Sequence, residues 1–271
     1  MRNICIPLQS RLLNTPDIEL WPGGLLHARS NAHARLLAHA RWVLRRKCDG
    51  QYLAAVLDGE LHPLVPRLAR EPGLASARRA LGSRHRSARN ELDHVGPLPL
   101  HRLQDRLQRL GLDADGYATR SGLELVPEPD WLAFAGFDRW RRALWLRINA
   151  ARAWLRLLAA ARADGIVLDA ISGYRSHDYQ LGIFERKLTR GQTVEQILAV
   201  NAAPGFSEHH SGLALDIGTP DEPPAEESFE TTPAFAWLQA NAAAHGFTLS
   251  YPRDNPHGIV YEPWHWRFSA N

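Results

Sequence analysis

Residues 148–171 limit the possible folds of this chain more than any other stretch. Trp154, Leu157, Leu158 and Ala161 follow the i, i+3, i+4, i+7 spacing of a helix with one buried face, which predicts a helix over 148–164. Asn149 is placed to cap its start and Gly165 to close its end. Residues 166–171 (IVLDAI) are a short apolar run between turn signals and read as a buried strand. A second helix is expected from Ser176, which can cap it, to about Thr189. Thr193 and Gln196 have capping-box spacing ahead of Ile197 and Leu198. Thr232 followed by Pro233 predicts a further helix that Gly246 ends. Residues 247–251 and 259–268 read as two strands joined by the turn-rich PRDNPHG. Leu100, Leu103, Leu107 and Leu110 predict a helix that Gly111 closes. Helices and strands mix without a regular βαβ alternation, so the fold class expected is α+β, an antiparallel sheet with packed helices.

The front of the chain reads differently. Residues 27–47 could form a helix through Leu36, Leu37, Ala40, Val43 and Leu44. After them Pro and Gly recur, and the run 78–89 is rich in Arg and almost free of apolar side chains. No strong strand and no repeat is legible. The expectation is a basic N-terminal extension over 1–97, poorly ordered or helical, followed by a catalytic domain over 98–271. Residues 1–110 hold 18 basic against 9 acidic side chains, and the rest of the chain holds 14 against 20. The basic half could suit an anionic partner, but no nucleic-acid recognition motif accompanies it, and the expectation is no nucleic acid. Met1 is the only methionine, which suggests a true start further in, near Val95, and a front end that is an over-long reading of the gene. The two cysteines, Cys5 and Cys48, look inert and exclude a disulfide framework or a cysteine zinc site. No run approaches the ~18 apolar residues of a membrane helix. The first twenty residues make a poor secretory signal, so the location expected is cytoplasmic, with a periplasmic or extracellular one left open.

Three short stretches carry chemistry: Ser207-Glu-His209-His-Ser-Gly212-Leu-Ala214-Leu-Asp216, Glu262-Pro-Trp264-His265-Trp266, and Ser172-Gly173-Tyr174-Arg175-Ser176. A catalytic zinc needs about three nitrogen or oxygen ligands and an open position. His209, Asp216 and His265 supply two imidazoles and a carboxylate. Gly212 and the small Ala214 let the chain bend and pass close to a metal. Glu262, three residues before His265, is placed to take a proton from an activated water and return it to a leaving amine. Arg175 is always charged and can hold a developing oxyanion. Ser207 and Gln180 can hydrogen-bond a substrate backbone. Trp264 and Trp266 read as core or pocket walls, and His177 as a surface residue at a helix start. His210 points away from its neighbour, and His257 is the best substitute ligand. The acidic, proline-rich loop 218–233 is expected to border the cleft.

These motifs, in this order, resemble the VanY/VanX-type zinc D-alanyl-D-alanine carboxypeptidases and dipeptidases, a group that includes phage peptidoglycan endopeptidases. The resemblance covers roughly residues 98–271. Tyr174-Arg175-Ser176 with Gln180, Tyr251-Pro252 and Glu262-Pro263-Trp264-His265 are closer to VanY than to VanX. The resemblance implies a hedgehog/DD-peptidase-like zinc peptidase fold and one catalytic Zn2+ on His209, Asp216 and His265. It also implies Glu262 as base, Arg175 as charge stabiliser, and Ser207, Gln180 and Tyr251 in the substrate pocket. The expected reaction is removal of the terminal D-alanine from peptidoglycan stem peptides by a monomer with no membrane span. An L,D-carboxypeptidase or an endopeptidase with the same zinc site is the near alternative. A non-enzymatic hedgehog-like binding module is the distant one, and the presence of both Glu262 and Arg175 speaks against it.

Overall fold

The computed structural model describes residues 10–28, 30–83 and 95–269. Its elements in chain order are β1 (Arg11–Asn14), β2 (Ile18–Pro22), α1 (Asn31–His39), β3 (Trp42–Arg46), β4 (Tyr52–Leu57), β5 (Glu60–Pro63), α2 (Leu74–Ser83), α3 (Leu103–Gln108) and α4 (Ala114–Ser121). They continue as β6 (Trp131–Phe137), β7 (Ala143–Leu146), α5 (Ile148–Ala163), β8 (Asp169–Ser172), α6 (His177–Thr189), α7 (Val194–Leu198), β9 (Ala214–Gly218), α8 (Pro233–Asn241), β10 (Phe247–Leu249) and β11 (His265–Phe268). Two antiparallel sheets result. One has the order β5-β4-β3-β2-β1-β6-β7 and the other β10-β11-β9-β8. The α+β class with antiparallel sheets and packed helices is therefore as expected.

The front of the chain is not the expected disordered or helical extension. Residues 11–63 form five strands. Their apolar residues come in runs too short for a helix of ten or more residues: RLLN, IELWP, WVLRR and YLAAVL. The helix expected over 27–47 is only α1, capped by the Ser30 side chain, and the chain then turns into β3. Strand β1 pairs with β2 on one side, Leu13 opposite Leu20, and with β6 on the other, Leu12 opposite Leu132. Strand pairing thus crosses residue 97. Leu13, Ile18, Leu20 and Leu44 share one buried cluster with Trp154 and Leu157 of α5 and with Leu215 and Trp266 of the small sheet. A segment that fills core positions in this way belongs to the folded unit. Met1, Cys5, part of the Arg-rich run and residues 91–94 lie outside the described residues; Cys48 is exposed and unpaired by disulfide.

Part of the basic charge of the front end is engaged in ion pairs. Arg45 pairs with Glu19 at 2.7 Å, Arg46 with Asp49 at 2.6 Å and Glu71 at 2.8 Å, and Lys47 with Glu128 at 2.6 Å. Among the described residues no helix is long and apolar enough to cross a membrane.

Elsewhere the helices expected from the sequence hold to within a few residues, while the strand expected over 259–268 begins only at His265. α5 starts at Ile148 with Arg147, not Asn149, at its cap position, and Gly165 follows its end with φ +74°. Ser176 caps α6, Thr193 and Gln196 form a capping box on α7, and Thr232 caps α8. Strands β8, β10 and β11 are shorter than the apolar runs that predicted them.

Candidate active site

The small sheet brings the candidate residues together through register. β11 pairs with β9 so that His265 lies directly opposite Asp216. The chain reaches β9 through a short 3-10 turn, Glu208–Ser211, which carries His209. His209 Nε2 is 3.2 Å and His265 Nδ1 3.0 Å from the same Asp216 oxygen, Oδ1. One donor atom from each of the three residues lies within 4.8 Å of the others, and all three side chains are buried.

Gly212 makes the turn possible. Its φ is +70°, and a Cβ there would sit 2.5 Å from Leu132 Cδ2 and 3.2 Å from the Arg147 nitrogen. Gly212→Ala is expected to destabilise the fold by about 2–3 kcal/mol, from left-handed backbone plus overpacking. Denaturant unfolding measures this, and a loss under 0.5 kcal/mol would contradict it.

The far nitrogen of each imidazole is also held. His209 Nδ1 lies 2.7 Å from the Gly173 carbonyl, which can only accept, so Nδ1 carries the proton and Nε2 presents its lone pair. His265 Nε2 lies 2.9 Å from Glu208 Oε2, and Arg267 holds the other oxygen of Glu208 at 3.1 Å. Glu208 is the unspecified residue between Ser207 and His209 in the motif, and sequence reasoning assigned it no role. A carboxylate behind a histidine fixes the ring and raises its basicity.

Burial and the nearby Arg175 guanidinium push the His209 imidazole down to about 4, so it is neutral at pH 7. Burial would also lower His265, but hydrogen bonds to Asp216 and Glu208 raise it to about 10. Burial raises Asp216 and its imidazole and Arg175 neighbours more than offset this, leaving its carboxyl well below the ordinary range.

Glu262 and Arg175 flank the three donors. Glu262 Oε2 is 3.7 Å from His265 Nδ1, and Arg175 Nη2 is 3.7 Å from Asp216 Oδ2. Burial pushes the Glu262 carboxyl up to about 7, against the pull of His265. Ser207, Gln180 and Tyr251 line the same cleft with Arg175, Glu262 and the two histidines. Gln180 Nε2 donates to the Ala202 carbonyl at 2.8 Å, which leaves the buried Oε1 without a partner and free to accept an N–H. The Tyr251 ring lies 4.8 Å from the His265 ring.

Other histidines are occupied elsewhere. His210 accepts from the Gly205 nitrogen and reaches the Arg175 carbonyl, away from the cluster as expected. His257 Nδ1 is tied to the Ser121 carbonyl and joins no donor group. His177 is 3% exposed, not a surface residue, with Nε2 on the Val126 carbonyl. The acidic loop contributes no lining residue to the cleft. Arg139 binds its Thr219 and Glu222 carbonyls, and Arg253 pairs with Glu230.

A buried anchor stands behind the arginine loop. Glu128 takes hydrogen bonds from the Tyr174 hydroxyl, Lys47 Nζ (2.6 Å), the His177 backbone nitrogen (2.9 Å) and Asn14 Nδ2 (3.3 Å). Burial would raise its carboxyl, but Lys47 and its other partners hold it well below the ordinary range. Arg175 lies between Tyr174 and the Ser176 cap, so this anchor fixes the loop that carries it. Sequence reasoning missed Glu128 altogether.

The comparisons with known proteins converge on one family. The VanY family, D-alanyl-D-alanine carboxypeptidase, matches residues 143–271. A bifunctional D-Ala-D-Ala dipeptidase and D-Ala-D-Ala carboxypeptidase of Enterococcus gallinarum, VanXYC, is 32% identical over 150 residues, 52% of this chain and 75% of that protein. The chain belongs to the VanY family. A D-alanyl-D-alanine carboxypeptidase of Enterococcus faecalis is 36% identical over 124 residues, 41% of this chain and 44% of that protein. The LdcB LD-carboxypeptidase structure is 38% identical and covers 46% of this chain and 59% of that one, with a TM-score of 0.42. The chain thus spans less than half the length of the Enterococcus faecalis relative. The VanY match contains every sequence-predicted site residue, and it leaves β1–β6 outside.

Proposed function

We propose that this chain is a zinc metallo-carboxypeptidase that removes the terminal D-alanine from peptidoglycan stem peptides ending in D-Ala-D-Ala. The observation that carries the reading is the placement of Glu262, a buried carboxyl raised to about 7, beside a three-donor cluster and a guanidinium in one cleft. The VanXYC relative is described as acting on D-Ala-D-Ala as both dipeptidase and carboxypeptidase, which supports the substrate class.

The donor set fits zinc. It offers two imidazoles and one carboxylate, with hydrogen bonds behind both rings. In the metal-free site Asp216 and Glu208 hold His265 as a cation; a metal there would take the place of the Nδ1 proton, with Glu208 still accepting from Nε2. His209 Nε2, Asp216 Oδ1 and His265 Nδ1 would hold the ion. Zinc bound there supplies Lewis acidity toward an acyl oxygen and makes water nucleophilic near neutral pH.

The chain's own groups perform the rest. Glu262 accepts a proton from the attacking water at a carboxylate oxygen and returns it to the leaving amine nitrogen. The Arg175 guanidinium, which lines the same cleft, stabilises the charge that the acyl oxygen gains. Gln180 Oε1 accepts an amide N–H of the substrate, while Ser207 and Tyr251 wall the pocket.

The test is incubation of the zinc-loaded protein with defined muropeptides, with products read by mass. Loss of one alanine from a stem ending in D-Ala-D-Ala is expected, abolished by a chelator and restored by zinc. Unchanged masses would refute the reading. Loss of D-alanine only from a stem ending in an L,D bond would assign the L,D-carboxypeptidase activity instead.

A further inference from the structure

Arg175 faces two cavities. The cleft at the three donors has a volume of about 30 Å³, room for about two waters. Any peptide whose last bond lies there must place its upstream part outside. On the other side of the 172–176 loop a cavity of about 240 Å³ opens between that loop, strands β2 and β3, and the β6–β7 hairpin.

Its walls are aromatic and cationic. Trp21 packs edge-on against Trp145, with centroids 5.2 Å apart, and Tyr179 at the start of α6 is exposed. Three guanidinium side chains, Arg45, Arg142 and Arg175, meet two carboxylates, Glu19 and Asp138, and Arg175 also reaches Asp216 of the neighbouring cleft at 3.7 Å. Both carboxylates are already engaged. Glu19 accepts from Arg45 at 2.7 Å and Trp21 Nε1 at 2.8 Å. Asp138 accepts from Arg142 Nε at 2.6 Å and from the Trp140 and Arg142 backbone nitrogens. Among the lining side chains, the buried polar atoms left without a partner are Trp145 Nε1 and Arg175 Nε, and both are donors. A buried donor without an acceptor is costly, and a guanidinium pairs best with a carboxylate.

The geometry points to a second subsite here, resting on the proposed peptidase reading, that binds a free carboxylate on the substrate upstream of the bond cut. Glu19, Trp21, Arg45, Asp138 and Arg142 all precede residue 143, where the VanY match begins. The front sheet is therefore a specificity element joined to the catalytic part. A saccharide would use the aromatic faces, but its hydroxyls are weaker acceptors for the unpartnered Arg175 Nε than a carboxylate is.

The experiment compares two peptides ending in D-Ala-D-Ala that differ only in a free or amidated upstream carboxylate. The wild-type protein is expected to prefer the free acid in kcat/KM by about tenfold, the size of one charge-assisted hydrogen bond. Arg142→Gln, on a half-exposed side chain whose Asp138 partner keeps its bonds from the Trp140 and residue-142 backbone nitrogens, should collapse that preference to about unity. The same two peptides are titrated into the zinc-free protein and followed by tryptophan fluorescence, where the acid should bind about tenfold tighter. This arm reads the subsite even if neither peptide is cleaved, an outcome that would overturn the peptidase reading alone. Cleavage of both peptides without preference, with equal binding, overturns the subsite and leaves the peptidase reading standing. A preference that instead follows an attached sugar also overturns it.

Discussion

Glu262→Gln is expected to lower kcat on a D-Ala-D-Ala peptide by about 10²–10⁴-fold, the usual worth of a positioned general base, while zinc content stays at wild-type level. The amide keeps the shape but cannot accept a proton. Zinc retention follows because Glu262 stands beside the three donors and is not one of them. The same variant carries a second, opposite signature. In the zinc-free protein burial raises the Glu262 carboxyl to about 7. The folded state therefore binds more protons than the unfolded chain between about pH 4.5 and 7, and stability falls as pH rises through that window. Above pH 7 the cost is on the order of 3 kcal/mol. Zinc-free Glu262→Gln should thus be more stable than wild type at pH 8, and the gap should close by pH 4. A side chain that costs stability and is needed for turnover serves function. Denaturant melts at the two pH values and a turnover assay check both halves. Turnover at the wild-type rate would end the general-base role.

The candidate site was legible because its residues sit in three short motifs whose spacing places them on adjacent strands and turns. His265 and Asp216 meet through a strand register that the motif spacing implies only indirectly. What was not legible acts over long separations. Glu208 could be seen as part of the motif, but its contact with His265 spans 57 residues. Glu128 reaches Lys47 across 81 residues and His177 across 49, and no local pattern marks it. The front sheet was missed for another reason. Strands such as WVLRR and ELHP carry Arg, Glu or His among few β-branched residues, so they read as polar text. Their charged positions are matched by partners in neighbouring strands and loops, as Arg45 is by Glu19. The turn into β3 also hides inside a helical spacing, because Leu36, Leu37 and Val43 fit one helix face on paper.

Glu128→Ala is expected to cost about 3–5 kcal/mol of stability, the loss seen when one member of a buried ion pair is removed. The Lys47 side chain is 0% exposed, and without Glu128 its ammonium stays buried and unpaired. Asn14, Tyr174 and the His177 nitrogen lose an acceptor at the same time. The double change Glu128→Gln with Lys47→Met removes both charges, so it should recover most of the loss. The pH dependence has a definite sign. A carboxyl depressed in the folded state contributes stability above its unfolded value near 4.5, and that contribution disappears as pH falls through the folded value. The stability gap between wild type and Glu128→Gln should therefore be full at pH 7, narrow below pH 4, and be nearly gone in strong acid. Because Tyr174 anchors the residue next to Arg175, Glu128→Gln should also lower kcat/KM under conditions where it remains folded. Chemical denaturation across pH measures the first effect and turnover the second. A constant stability gap from pH 7 to pH 2 would show that the carboxylate charge at Glu128 contributes nothing, and would place the stability of this junction in packing alone.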